Sequence, residues 1–248
     1  MLITSLENDK IKEIMKLNQR KYRKRDGKYL VEGEHLVLEA IKSGYLETLI
    51  LEKDAVFPVE KEALYVTSDI LSKLSTLETP PKVMGVCNIP DKEECGSRVL
   101  LLDEVQDPGN LGTLIRSAKA FDIDTVVLGT GCVDLYNSKT LRAAQGMHFH
   151  LNIINRDLSE VIPVLKEKGI VIYATNVKYG MDVRTLKNKD KKSFGLILGN
   201  EGAGVKDKFF DMADEYIYIE MNKDVESLNV GIAGSILMYE LKEDGSNE

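Results

Sequence analysis

Cysteine and histidine are scarce in this chain, with three of each among 248 residues. Cys87, Cys95 and Cys132 are odd in number and lack C-x-x-C spacing, which argues against both a disulfide framework and a zinc site. The histidines offer no replacement ligand set. His148 and His150 alternate in a strand-like pattern and His35 falls in a helical one, so all three read as structural residues and no metal is expected. Long apolar runs are missing too: no stretch approaches the roughly 20 residues that a membrane helix needs. The opening stretch MLITSLENDKIKEIMK has no apolar signal region. A soluble, cytoplasmic protein with no membrane partner is the expectation. Overall positive charge is also lacking. The net charge of −7 argues against indiscriminate adhesion to nucleic acid, because the average field repels phosphate.

Enough apolar residues remain, 43% of the chain, to bury a substantial core, and the length allows one large domain or two small ones. The charge is segregated. Between Lys10 and Lys28 nine basic residues stand against two acids, Glu13 and Asp26. Such a footprint can bind RNA on an otherwise acidic protein, with Arg20, Lys21, Arg23, Lys24 and Arg25 as the candidate contacts; it is equally the composition of a solvated helix face. Tyr22 and Tyr29 lie within or beside the cluster and could stack on bases.

Residues 1 to about 90 read as a small mixed unit in which helical spacing (NDKIKEIMKLNQRKYR, EGEHLVLEAIKSG) is interleaved with short apolar stretches (LETLILE, PKVMGVCNI). The polar segment PDKEECGS, residues 90–97, is the linker candidate. From Arg98 onward, strand-like runs (VLLLD, TVVLG, LNIIN, GIVIYAT, FGLILGN, EYIYIEM) alternate with helical patterns beginning near Leu111, Ser138, Leu158, Val205 and Asn229. Six strands with helices between them predict an α/β fold with a mostly parallel sheet covered on both faces.

Three strand-to-helix turns hold most of the chemistry, and in open parallel sheets such turns at the carboxyl ends of strands are where ligands bind. DPGNLGTLIRSA, from Asp107, carries Asn110 and Arg116. LILGNEGAGV, from Leu196, ends a strand with Gly199 and continues through Asn200, Glu201, Gly202 and Gly204, where glycines permit close approach to a ligand or merely satisfy a tight turn. ESLNVGIAGSILMYEL, from Glu226, sets Ser227 and Asn229 at the start of a helix of small and apolar residues, and either could be its N-cap. A fourth turn, VVLGTGCVD, holds Gly129 and Gly131 but has Asp134 where a dinucleotide fingerprint needs its third glycine.

The first three turns, in this order, resemble the motifs of the SpoU (TrmH) family of RNA ribose 2′-O-methyltransferases, of the SPOUT superfamily, over residues from about 98 to 243. YLVEGEHLVLEAI and TLETPPKVMGV further resemble the substrate-binding domain carried by members that act on ribosomal RNA. The resemblance implies an RNA substrate-binding domain at 1–92 and a catalytic domain at 98–248 with a C-terminal trefoil knot. It also implies S-adenosylmethionine as cofactor and a homodimer. Carried over position by position, it places Asn110, Arg116, Glu201, Ser227 and Asn229 in the catalytic set. It assigns the cofactor to Thr175, Asn176, Leu198, Gly199, Asn200, Gly202, Ile219, Met221 and Leu228, and adds Arg142 to the candidate RNA contacts. Two positions depart from the family pattern: Glu220 precedes Met221 where proline is common, and RAAQGMHFH replaces a serine-glycine-alanine pattern near His148.

Methyl transfer from a sulfonium requires chiefly alignment of a ribose hydroxyl. A guanidinium stays charged, which favours Arg116 as a phosphate and alkoxide partner over a base. Ribosomal RNA is expected as substrate ahead of transfer RNA. A non-catalytic RNA-binding or ribosome-assembly factor of the same fold is the alternative of another class, and a nucleotide-dependent oxidoreductase is disfavoured by the incomplete glycine fingerprint.

Overall fold

The computed structural model describes residues 2–91, 94–177, 179–186 and 191–242. The chain forms two compact units, one of Met1–Asp91 with Asp134–Phe149, the other of Lys92–Val133 with His150–Glu248. Among the described residues no helix is long and apolar enough to cross a membrane.

The first unit is built on a mixed sheet of β1 (Leu2–Ile3), β2 (Lys28–Glu32), β3 (Leu46–Glu52), β4 (Ala63–Val66) and β5 (Val83–Asn88), in the order β1-β4-β3-β5-β2. β5 runs antiparallel to both its neighbours, while β3 and β1 pair parallel with β4. Alternation along β2 shows the two faces: Leu30 joins a cluster with Ile11 and Ile14 of α1 (Asp9–Lys16) and with Ile70, Leu71 and Leu74 of α4 (Ser68–Leu74). Tyr29 and Val31 face the opposite way, onto Leu36, Val37 and Ala40 of α3 (Glu34–Lys42).

That second face is completed by residues from far along the chain. Leu141 of α6 (Ser138–Ala144) and Phe149 are buried in the same cluster, with Tyr136 packed against it. Phe149 stacks on Tyr45, their ring centroids 5.8 Å apart. A single break at 90–97 therefore does not describe the division of the chain. The segment 134–149 carries the apolar residues that this sheet face lacks.

Local pattern also runs NDKIKEIMKLNQRKYR together as one helix, whereas the chain forms α1 and then α2 (Arg20–Asp26). Asn8 caps the first, Gln19 is extended (φ −105°, ψ 132°) before the second, and Gly27 ends α2 in the left-handed region at φ 63°.

The second unit has a wholly parallel sheet, with seven strands among the described residues. They are β6 (Arg98–Leu102), β7 (Thr125–Leu128), β8 (Asn152–Asn155), β9 (Val171–Thr175), β10 (Met181–Asp182), β11 (Phe194–Leu198) and β12 (Glu215–Tyr218), in the order β10-β12-β9-β11-β6-β7-β8. The strand beyond the six expected from periodicity is β10, whose two residues are too short to show an alternation. β11 enters between β6 and β9, which precede it in the chain.

One sheet face packs Leu101, Val127, Ile172 and Ile197 against Val161, Ile162 and Leu165 of α7 (Leu158–Glu167) and Phe209 of α8 (Asp207–Phe210). On the other lie α5 (Pro108–Ala120) and α9 (Val230–Leu241). Small residues let α9 approach closely: a Cβ on Gly234 would sit 2.4 Å from Leu114 Cδ2 and 2.6 Å from Leu198 Cδ1. Ser117 and Ser235 hydrogen-bond across the two helices at 2.7 Å.

Candidate active site

Asp107 is the N-cap of α5, its carboxylate accepting from the Asn110 amide at 2.8 Å, and Pro108 opens the first turn. The positive end of this helix already holds an anion, supplied by the chain itself. The Glu201 carboxylate accepts from the amides of Asp107 (2.9 Å) and Gln106 (3.2 Å) and from the Asn110 side-chain amide (3.1 Å). Partial burial pushes the Glu201 pKa up, but these donors outweigh it and hold the group below its ordinary value. DPGNLGTLIRSA is thus a capped helix start whose anion site is taken, and not a phosphate cradle.

The network continues. Asn229 Nδ2 donates to Asn110 Oδ1 at 2.9 Å, while Asn229 Oδ1 caps α9 by accepting from the amides of Gly231 (2.9 Å) and Ile232 (3.2 Å). Glu201, Asn110 and Asn229 therefore tie the three turns into one constellation. Asn229 alone among them is also a helix N-cap.

The glycine-rich turn is held by Asn200. Its Oδ1 accepts from Gly202 and Ala203, its Nδ2 donates to the Glu104 carbonyl at 2.9 Å, and its backbone bridges Gly204. Gly199 is required for closure of the turn on itself: a Cβ there would lie 2.0 Å from the Gly204 carbonyl carbon and 2.1 Å from the Val205 nitrogen. Behind the turn, Lys206 bridges the buried Asp103 carboxylate (3.6 Å) and Glu104 (2.6 Å).

These loops enclose a cavity of about 340 Å³, in the range of small-molecule sites. All nine residues named for the cofactor, Thr175, Asn176, Leu198, Gly199, Asn200, Gly202, Ile219, Met221 and Leu228, line it. So do Glu201 and Ser227. Pattern reading missed part of the wall: Val205, Phe210, Ala233 and Leu237 also line the cavity, from elements whose apolar residues carry the same signal as core. Residues 219–229 belong to no helix or strand, and Ile219, Met221, Ser227 and Leu228 of this segment line the cavity.

Arg116 stands apart from this network. It is exposed on α5, and among the described residues it has no hydrogen-bond or ion-pair partner. Of the candidate RNA contacts in the first unit, Arg20, Lys21, Lys24 and Arg25 are exposed on α2. Arg23 corrects the expectation. It is 8% exposed, donates to the Leu17 carbonyl at 2.8 Å and pairs with Asp134 at 2.5 Å, so its guanidinium is not presented to a ligand. Arg142, half-buried on α6, lies 3.5 Å from Thr76 Oγ1.

The remaining sequence candidates are accounted for structurally. A Cβ on Gly129 would meet the Leu102 carbonyl at 2.6 Å, and Gly131 turns at φ 94° against Glu104, so this glycine pair serves chain packing. His148 and His150 belong to a 3-10 turn, Met147–His150, in place of the strand alternation. His148 is buried with Nε2 3.2 Å from the Tyr29 hydroxyl, and His35 Nε2 lies 3.2 Å from the Gln145 carbonyl. Burial raises all three thiols, Cys132 to about 11, which leaves no activated thiolate. Among the described residues no group of three His, Cys, Asp or Glu side chains could hold a metal ion.

Fold and site together define an α/β protein with a cavity of small-molecule size among the loops at the carboxyl ends of a parallel sheet. Comparison with known proteins makes this specific. Residues 97–239 match the SpoU rRNA Methylase family and residues 8–85 the MRM3-like substrate binding domain, and the chain belongs to the SpoU rRNA methylase family. It is 40% identical, over 97% of its own length and 98% of the relative's, to the 23S rRNA (guanosine(2553)-2′-O)-methyltransferase RlmP of Bacillus subtilis (strain 168). Among solved structures, a putative RNA methyltransferase of the TrmH family from Porphyromonas gingivalis superposes with a TM-score of 0.86 at 30% identity, covering 97% of this chain and 100% of the other. The AdoMet-bound rRNA methyltransferase from Sinorhizobium meliloti gives a TM-score of 0.84 at 27% identity, covering 97% of each chain.

Proposed function

We propose that this protein transfers a methyl group from S-adenosylmethionine to a ribose 2′-hydroxyl of ribosomal RNA. The observation that carries the reading is the hydrogen-bonded line Glu201–Asn110–Asn229, which joins all three family turns beside one cavity. The cavity suits the cofactor. Leu198, Ile219, Met221 and Leu228 offer apolar surface to a flat adenine, and the turn through Gly199 and Gly202 brings backbone close to a ribose. Bound there, the cofactor would supply a sulfonium-activated methyl group.

The chain's own residues do the rest. Arg116, exposed and uncommitted, fixes the phosphate next to the reacting ribose and stabilises the alkoxide that develops as the hydroxyl proton leaves for solvent. Its guanidinium stays charged and does not take that proton. Glu201 holds the start of α5, and hence Arg116, in register with the glycine turn. Ser227 stands at the cavity wall, where its hydroxyl can meet the cofactor or the ribose.

Residues 1–92 are assigned to RNA capture and 98–248 to chemistry, with Asp134–Phe149 completing the core of the capture unit. Ribosomal RNA is preferred to transfer RNA because the family match includes a substrate-binding domain and the 40% identical relative is named for 23S rRNA. A trefoil knot is supported by the entry of β11 between β6 and β9 and by the return of α9 against α5. A homodimer is supported by the exposed Ile232 and Tyr239 of α9, and cytoplasmic action by the nature of the substrate. Mapping 2′-O-methyl sites in total RNA from cells with and without the gene tests the function. Loss of one ribosomal site is the expected result; an unchanged ribosomal map would overturn the choice of substrate.

A further inference from the structure

The basic segment of the first unit holds a feature that charge alone does not require. The Tyr22 ring on α2 is half-buried and surrounded by cations, with Lys21 Nζ 4.7 Å, Arg25 Cζ 4.9 Å and Lys16 Nζ 5.9 Å from its centroid. Arg25 also lines a groove of about 360 Å³ between α1, α2 and the sheet. Ile14, Leu17 and Val86 form the buried part of the groove wall. Glu13, Asp26 and Glu47 supply carboxylates, Asp26 being paired with Arg25 at 2.6 Å and Glu47 with Lys28 at 2.8 Å.

We propose that this surface binds single-stranded RNA by stacking one unpaired base on the Tyr22–Arg25 platform and seating the base edge in the adjoining groove. The inference rests on the assignment of the first unit to RNA capture and names the element of RNA captured there. Charge decides what enters. Lys10, Arg25 and Lys28 line the groove beside Glu13, Asp26 and Glu47 and balance them, so the groove itself has no net pull on a sugar-phosphate strand, while Lys16 and Lys21, exposed beside the ring, attract it outside. A base has the apolar face that the wall accepts, and its exocyclic amino group donates to a carboxylate. Duplex RNA has no free base face to offer, so the surface distinguishes unpaired from paired RNA. A planar guanidinium over an aromatic ring is the arrangement on which bases stack without sequence preference.

The test uses the full-length protein and a 2-aminopurine-labelled RNA oligonucleotide of about ten residues, single-stranded or annealed to its complement, with affinity measured at several salt concentrations. Tyr22→Ala is expected to weaken single-strand binding about tenfold, abolish the stacking quench of 2-aminopurine and leave the salt slope unchanged, since no charge is lost. Tyr22→Phe keeps both affinity and quench. Lys21→Ser, which removes a cation assigned to the strand, reduces the salt slope by about 0.7. Duplex affinity changes in none of the Tyr22 variants, and unaltered melting temperatures show that the fold is intact. Equal single-strand affinity for wild type and Tyr22→Ala, or no quench on wild-type binding, overturns the proposal. S-adenosylmethionine titration of the same samples separates the two readings: unaltered cofactor binding leaves the methyltransferase assignment standing, whereas a wild-type protein that does not bind cofactor contradicts that assignment on its own.

Discussion

The two units place their most conspicuous polar side chains differently. In the first, charged groups are drawn inward to hold the fold. Arg23 pairs with Asp134, and the buried Glu32 accepts from Ser75 Oγ and from the amide and hydroxyl of Thr76. In the second, the constellation at the sheet's carboxyl edge stays open to solvent, with Glu201 and Asn229 exposed and Asn110 half-buried, and Arg116 is left uncommitted. The second unit also buries one carboxylate, Asp103, which accepts from the Lys206 amide at 2.9 Å, but the polar residues of its three family turns gather at the cavity, where those of the first unit serve assembly. Their mutational signatures should separate accordingly.

The largest expected effect breaks the first unit. A fragment of residues 1–91 lacks Leu141, Phe149 and the Asp134 carboxylate that complete its core, and it should show no cooperative thermal transition. A sharp melt for that fragment would mean that segment 134–149 is dispensable. In the full chain, Arg23→Ala strands Asp134 and should cost about 3–5 kcal/mol by urea denaturation. Phe149→Ala should cost a similar ~3–5 kcal/mol through the cavity it leaves. Neither should alter S-adenosylmethionine affinity.

In the second unit the order is reversed. Gly199→Ala drives a Cβ into the Gly204 backbone and should abolish cofactor binding by calorimetry while the first unit's thermal transition persists. Glu201→Gln removes the anion from the start of α5. Because the folded pKa of Glu201 is depressed, its contribution is complete above the unfolded value of about 4.3 and is lost as pH falls through the folded value. The difference in melting temperature between wild type and Glu201→Gln should therefore be constant from about pH 6 upward and shrink as the pH falls below about 4. A difference that widened in acid would assign the effect to another group. The smallest effect is that of Lys24→Ser, which should flatten the salt dependence of RNA binding by about 0.7 and leave stability unchanged. An Arg23 variant should do the converse.

The contrast also accounts for what could be read from the sequence. The second unit repeats strand, turn and helix in chain order, so its polar turns fall at one edge of the sheet, and the nine cofactor positions named from motif resemblance meet around one cavity. Asn229 reads equally as helix cap or site residue because the same side chain caps α9 and bonds Asn110. The first unit is not local. Nothing in the pattern around Leu141 and Phe149 tells that they pack on Tyr29 and Val37, more than a hundred positions earlier in the chain. Nor does composition distinguish the buried Arg23 from the exposed Lys24 and Arg25 beside it, since only the partner Asp134 makes the difference. Gly129 and Gly131 mimic a nucleotide fingerprint because close chain packing and ligand approach both select glycine.

We infer that the second unit performs methyl transfer with Arg116 as the group acting on RNA. Its most direct test is transfer of labelled methyl from S-adenosylmethionine to ribosomal RNA by wild type, Arg116→Ala and Arg116→Lys, with cofactor affinity measured on the same samples. The expected result is an alkali-resistant, 2′-O-methylated product from wild type only, at least a hundredfold less, on the order of two powers of ten, from both variants, and equal cofactor affinity in all three. Near-normal turnover by Arg116→Lys, or methylation of wild-type product on a base instead of the ribose, would contradict it.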